Sequence, residues 1–139
     1  MAETPIFTRV RTICAADIDE LGHVNNVVWL RFVVAVGHAH TAAVGLGERF
    51  HESHRATWVV RRHWIDYLRP ALDGERIEEA TWVSDLRGAR CVRATEFRRL
   101  ADGEVLVRAE SLWAFVDRAT QRPRRMPAEV FERFAVIDA

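Results

Sequence analysis

Cysteine is scarce in this chain of 139 residues: Cys14 and Cys91 are the two it has, too few for a disulfide framework. Net charge is absent as well, with 20 acidic residues against 20 basic ones, which removes the strongest sequence argument for nucleic-acid binding. The opening Met-Ala-Glu-Thr-Pro has no basic segment leading into an apolar one, so no signal peptide is expected and a reduced, cytoplasmic setting fits best. Repeats and low-complexity linkers are missing, and by size the whole of 1–139 is expected to be one domain. Ser53, Ser84 and Ser111 lack a Gly-x-Ser-x-Gly elbow, which argues against a serine triad. His51-x-x-His54 has no Cys and no second His pair at zinc spacing, so neither a metal nor another cofactor is expected.

What is present is organised around one stretch. Asp17-Ile-Asp-Glu-Leu-Gly-His-Val-Asn-Asn-Val-Val-Trp29 stands directly before an apolar run that lasts to Gly45 and Gly47. Strands seldom exceed about 10 residues, and no proline interrupts here, so the spacing predicts a long helix from Val24 to Gly47. Arg31 is its one formal charge, and a helix apolar almost all round must be covered by other structure. Asn25, Asn26, Arg31, His38, His40 and Thr41 interrupt it too often for a membrane span. Asn25 or Asn26 supplies the N-cap, and the glycine pair suits the C-terminal end. His38 and His40 in such a helix read as satisfied core groups rather than ligands.

Around this helix the chain reads as β. Residues 6–14 alternate as a half-buried strand, and 48–55 reads as a polar loop. Strands follow over 57–68, 76–85, 90–100 and 105–117, joined by turns at Asp73-Gly74, Arg87-Gly88-Ala89 and Asp102-Gly103, the last being the strongest hairpin signal. In the last strand Val107, Ala109, Ser111, Trp113 and Phe115 share a face that suits a buried helix. Pro127 opens a short helix with Val130, Phe131 and Phe134 turned inward. One helix and one sheet give a two-layer α+β domain. Apolar positions expected to face outward (Trp58, Val60, Trp64, Trp82) together with an open sheet edge predict self-association.

The run Asp17-x-Asp19-x-x-Gly22-His23-Val24-Asn25-Asn26-x-x-Trp29 resembles the signature of hotdog-fold acyl-CoA thioesterases of the 4-hydroxybenzoyl-CoA thioesterase type, and its His-Val-Asn-Asn core also resembles plant acyl-carrier-protein thioesterases. Ile65-Asp-Tyr-Leu-Arg-Pro-Ala71 is similar to that family's second strand, where a Tyr-x-x-Pro-Ala-like run precedes a glycine turn. The resemblance covers nearly the whole chain. It implies a five-stranded antiparallel sheet wrapped around one long central helix, and sites formed between two protomers of a dimer or tetramer. It puts the catalytic carboxylate on Asp19 and the carbonyl-polarising amide near Asn26. It implies substrate contacts at Gly22, Val24, Asn25 and Trp29, and coenzyme A contacts at Arg87 and Arg90.

The chemistry fits these residue types. A helix N-terminus offers unpaired N–H groups and a partial positive charge, so a thioester carbonyl aimed at residues 24–26 would be polarised there. Asp19 on the other side of that carbonyl either attacks it, giving a mixed anhydride, or holds a water as general base. An Asp before a helix also serves capping alone. His23 either donates to the thioester or orients Asp19, or acts as a cap; Gly22 permits a tight turn, and Asp17 is a turn residue or the partner of an arginine. The expected substrate is an acyl-CoA, or an acyl group on a carrier protein, with no nucleic acid and no membrane as partner. The alternatives are a hotdog hydratase and a non-catalytic acyl-CoA binding protein.

Overall fold

The computed structural model describes residues 6–137; Met1 to Pro5, read above for a leader, lie outside them. The elements in order are β1 (Phe7–Thr12), α1 (Asn26–Ala43), α2 (Glu48–His54), β2 (Ala56–Tyr67), β3 (Arg76–Arg87), β4 (Arg90–Arg99), β5 (Val105–Asp117) and α3 (Ala128–Arg133). The five strands form one antiparallel sheet in the order β1-β3-β4-β5-β2. The Arg87 and Asp102-Gly103 turns close the expected hairpins. Asp73-Gly74 does not: β2 pairs with β5 at the far edge, and β3 pairs with β1. The chain therefore crosses from one side of the sheet to the other between Tyr67 and Arg76.

Helix α1 begins later and ends earlier than its apolar run, because both ends are capped. The Asn25 side chain accepts the Val27 N–H at 2.8 Å. At the other end Gly45 takes φ +80°, and the Gly45 and Leu46 amides return to the Ala42 and Thr41 carbonyls, the paired bonds of a Schellman stop. Trp29, Phe32, Val33, Val36, Gly37, His40 and Thr41 are its buried residues, a stripe at helical spacing that lies on the concave face of the sheet. The helix is thus covered on one side rather than all round, and Val27 on its open side is 58% exposed. No single helix among the described residues is long and apolar enough to cross a membrane.

Four local expectations are corrected. Residues 48–54 are helical rather than loop, with Phe50 buried and Arg55 ending the helix in the left-handed region at φ 51°. Trp58 and Val60 face the helix, not solvent, because a bulge between Val60 and Arg62 shifts the alternation of β2 by one residue. Phe131 is 38% exposed, while Val130 and Phe134 are buried as expected. His38 is exposed along α1, whereas His40 is a core group.

The core falls into two apolar clusters along α1. The first joins Ile13, Val24, Trp29, Phe32, Val33, Ile77, Phe97 and Val107 near the start of the helix. The second joins Leu46, Phe50, Val83, Cys91, Trp113, Phe115 and Phe134 near its end. Burial of each such side chain is worth about 1.5–3 kcal/mol. Polar side chains on the concave face of the sheet lie between them: Thr81, Arg93, Thr95 and Ser111 are all buried.

Candidate active site

Both motifs singled out in the sequence meet at the start of α1. The segment before the helix folds back on itself: the Asp19 N–H donates to the His23 carbonyl at 2.9 Å, the Gly22 N–H to the Asp19 carbonyl at 3.0 Å, and Ile18 bridges to Val24. Gly22 closes this turn at φ +82°, a conformation that favours glycine. The Asn25 N–H donates to the Asp17 carbonyl and the Val24 N–H to the Ala71 carbonyl, each at 3.0 Å. The second motif lies against the first, since the Tyr67 hydroxyl also donates to the Asn26 carbonyl at 3.1 Å. Asp19 and the first turn of α1 are therefore pinned to one corner by backbone bonds.

At that corner the Asp19 Oδ1 accepts the Leu21 N–H at 2.9 Å, an Asx turn. Among the described residues no donor meets its other oxygen. Asp17 is a turn residue, its carboxylate accepting the Cys14 N–H at 3.0 Å. Of the helix amides, Val24 and Asn25 are taken by Ala71 and Asp17 and Val27 by the cap, while Val28 returns to the Asn25 carbonyl. The Asn26 N–H has no acceptor among the described residues. The expectation of free amides across 24–26 thus narrows to Asn26.

The other predicted site residues divide. Gly22, His23 and Asn26 are exposed, and Asn25 is half-buried. Val24 and Trp29 are core side chains, 4% and 2% exposed, and Trp29 packs edge-on to Phe32 and against Phe97. Arg87 and Arg90 are exposed beside Asp85 at the β3–β4 turn. That turn borders the apolar cluster at the end of α1, so one protomer does not bring its own arginines to its own Asp19. The corner is open to solvent, with Leu21 76% and Val27 58% exposed beside it.

Several polar groups carried no sequence signal beyond their place in an alternating strand. Glu79, fully buried, receives the Nε of both Arg9 and Arg11 at 2.6 Å. His63 Nδ1 lies 2.6 Å from the Ser111 hydroxyl; burial lowers the His63 pKa. Ser111 is fully buried and no carboxylate among the described residues pairs with His63, so the pair lacks the parts of a triad. Arg93, 3% exposed, donates to His40 Nδ1 at 2.7 Å and to the Thr41 and Thr81 hydroxyls at 3.2 and 3.3 Å. Burial first, and the Arg93 charge second, push the His40 pKa down to about 4, so His40 is a neutral acceptor. The described residues contain no cluster of His, Cys, Asp and Glu able to hold a metal ion.

Comparison with known proteins agrees with this architecture. A profile of the thioesterase-like superfamily matches residues 14–134. A chloroplastic acyl-[acyl-carrier-protein] hydrolase from Cuphea viscosissima is 36% identical over 73 residues, which are 52% of this chain and 18% of that protein. The chain thus spans less than a fifth of that relative's length. Among solved structures, a 1,4-dihydroxy-2-naphthoyl-CoA thioesterase from Synechocystis superimposes with a TM-score of 0.85 at 18% identity, covering 96% of this chain and 98% of that one. A 12:0-ACP thioesterase from Umbellularia californica gives 0.85 at 23% identity over 96% of this chain and 51% of that one. A hypothetical protein from Staphylococcus aureus solved in complex with CoA gives 0.86 at 17% identity, covering 99% and 90%. With its five antiparallel strands curved around α1 and a family match across most of its length, this chain belongs to the thioesterase-like superfamily and has the hotdog fold.

Proposed function

We propose that the protein hydrolyses an acyl-CoA thioester to the free acid and coenzyme A, using the Asp19 carboxylate and the Asn26 amide. The observation that carries this reading is the corner itself. A carboxylate with one unengaged oxygen and a helix N-terminal N–H without an acceptor stand on one folded-back segment, closed by the Ile18–Val24 and Asp17–Asn25 bonds. The amide and the helix dipole stabilise the oxyanion of the tetrahedral intermediate, a contribution of about 10² to 10³ in rate for one donor. Asp19 attacks the carbonyl carbon and expels the thiolate, leaving a mixed anhydride that water then hydrolyses to the free acid and the Asp19 carboxylate, or it takes a proton from water as water attacks and the thiolate leaves; on either route the thiolate is protonated to the free thiol. His23, exposed on the same turn, is the candidate to donate a hydrogen bond to the thioester or to orient Asp19.

The open side of the corner supports a second part of the proposal. Leu21 and Val27 are exposed beside it, and Tyr67, Leu68 and Leu72 are 44%, 49% and 47% exposed on the adjoining segment. A second copy would cover these residues and bring its Arg87 and Arg90 toward the coenzyme A phosphates, as a dimer or a tetramer. Carrier-protein thioesters remain the second reading, favoured by the plant acyl-carrier-protein hydrolase that matches half of the chain.

A panel of acyl-CoA thioesters followed with a thiol-trapping dye tests the main reading, with the same acyl groups on carrier protein run in parallel. Thiol release from the CoA panel is the expected result. Tight acyl-CoA binding without release makes the protein a binding module, and consumption of enoyl-CoA without thiol release makes it a hydratase. Light scattering at micromolar concentration is expected to give a dimer or larger, and a monomer contradicts the shared site.

A further inference from the structure

Tyr67 is the single tyrosine of the chain, and it ends β2 against the first turn of α1. Its residue is 44% exposed, so core packing accounts for little of its presence. Its hydroxyl donates to the Asn26 carbonyl at 3.1 Å. A carbonyl in an α-helix accepts from the amide four residues on and keeps a second lone pair, which leaves room for this hydroxyl.

Two consecutive peptide planes meet at the Asn26 Cα, and because each is planar, holding one end sets the direction of the other. The first plane carries the Asn26 N–H. Its opposite end, the Asn25 carbonyl, accepts the Val28 and Trp29 amides at 2.9 and 3.2 Å. The second plane is held at both ends by side chains, Tyr67 on the Asn26 carbonyl and Asn25 Oδ1 on the Val27 N–H at 2.8 Å. Asn25, Val28 and Trp29 belong to the helix start and move with it, and helix ends fray. Tyr67 belongs to the sheet. It pairs with Val107 of β5, and the Leu68 and Arg69 amides that follow it both donate to the Leu106 carbonyl.

From this we infer that Tyr67 is a positioning residue: through the Asn26 carbonyl, its hydroxyl ties the first turn of α1 to the sheet, so that the Asn26 N–H keeps the direction in which it meets the oxyanion. The use of that amide rests on the function proposed above; the tie itself does not. The phenol form is required, since a phenolate has no proton to donate and sets a negative charge against the carbonyl oxygen. Partial burial raises the Tyr67 pKa above its ordinary value, which keeps the phenol protonated through the neutral range. The Ala71 carbonyl, which accepts the Val24 N–H at 3.0 Å, sets where the helix starts, and the Tyr67 hydroxyl sets how its first turn points.

The test exploits the presence of one tyrosine. Tyr67→Phe removes the hydroxyl and keeps the ring. Its kcat for thiol release is expected to fall about five- to tenfold, the worth of one hydrogen bond, with KM within about twofold of the parent, the pattern of an interaction used in the transition state. Incorporation of difluorotyrosine then replaces Tyr67 alone and brings the phenol pKa toward neutrality, where phenolate absorbance reports it directly. In that protein kcat is expected to fall with rising pH along the measured ionisation, while the parent, with the same Asp19 and His23, shows no matching fall. A kcat that ignores the ionisation, a Tyr67→Phe kcat within about twofold of the parent, or a loss that appears in KM alone overturns the assignment. Amide exchange at Asn26 and Val27, followed by NMR, reads the tie without turnover: faster exchange in Tyr67→Phe is expected, and unchanged exchange overturns it. If no acyl thioester releases thiol from the parent, the hydrolase reading falls and the exchange result alone decides whether the hydroxyl holds the turn.

Discussion

The two ends of α1 are built from different materials. At its N-terminal end polar groups are held by backbone bonds in an exposed turn: Asp19 to His23, Asp17 to Asn25, Val24 to Ala71. Toward its C-terminal end they are held by side chains in the interior, where Arg93 reaches His40 and Thr41 across from the sheet. The first arrangement leaves a carboxylate oxygen and an amide available to a substrate. The second leaves the Trp58 and Trp113 indole N–H groups buried without acceptors among the described residues. An exposed corner keeps its reactive groups solvated at little cost to folding, whereas an interior cluster must satisfy its polar groups or lower the stability of the fold.

This contrast can be broken from either end. The largest expected effect is on stability at the first end, where Trp29→Ala empties a site 2% exposed between Phe32 and Phe97. A loss of about 3–5 kcal/mol by denaturant unfolding is expected, and under 1 kcal/mol would show that the first cluster does not anchor the helix.

Next comes pH, through the second end. His40 has its pKa lowered to about 4 in the folded protein, from the usual 6.5. The unfolded chain therefore takes up a proton between pH 6.5 and 4 that the folded chain refuses. Its contribution is fully present above pH 6.5 and is lost on acidification toward pH 4, by up to about 3 kcal/mol. The Tm of His40→Gln should fall less steeply over that window than that of the parent; parallel curves would remove His40 as a source of acid sensitivity.

Gly37→Ala separates the ends further. An exposed helix position gains about 1 kcal/mol from that change. Here the added Cβ meets Arg93 Cδ at 3.2 Å and Nε at 3.3 Å, and a buried, hydrogen-bonded arginine cannot step aside, so a net loss of about 1 kcal/mol is expected. Added stability in thermal melts would mean that the guanidinium moves freely. The smallest effect is at the cap, where Asn25→Ala removes the acceptor of the Val27 N–H and should cost about 1 kcal/mol. Its thiol-release rate should fall more than that of Gly37→Ala, because the cap orders the turn that presents Asn26.

The N-terminal end was legible in the sequence because its information is local. Asn25, Gly22 and the two aspartates stand within nine residues of one another, and their partners are backbone groups nearby. The strands and two of the three turns were legible by alternation and by their glycines. The pairing of β2 with β5 was not, since the Asp73-Gly74 turn looks in sequence like any hairpin while its strands lie apart. Nor was the inward position of Trp58 and Val60, which depends on one extra residue in β2. Nothing in the sequence singles out Arg93; its burial follows from Gly37 and Thr41 on a helix more than fifty residues earlier, and only the assembled sheet joins them.

The most direct test of the account is thiol release by Asp19→Asn, measured together with its melting temperature. Asparagine keeps the Oδ1 that accepts the Leu21 N–H and removes only the negative charge. Turnover lower by about 10² to 10⁴ with an unchanged Tm is the predicted result. Turnover within threefold of the parent contradicts the assignment of Asp19 to the chemistry.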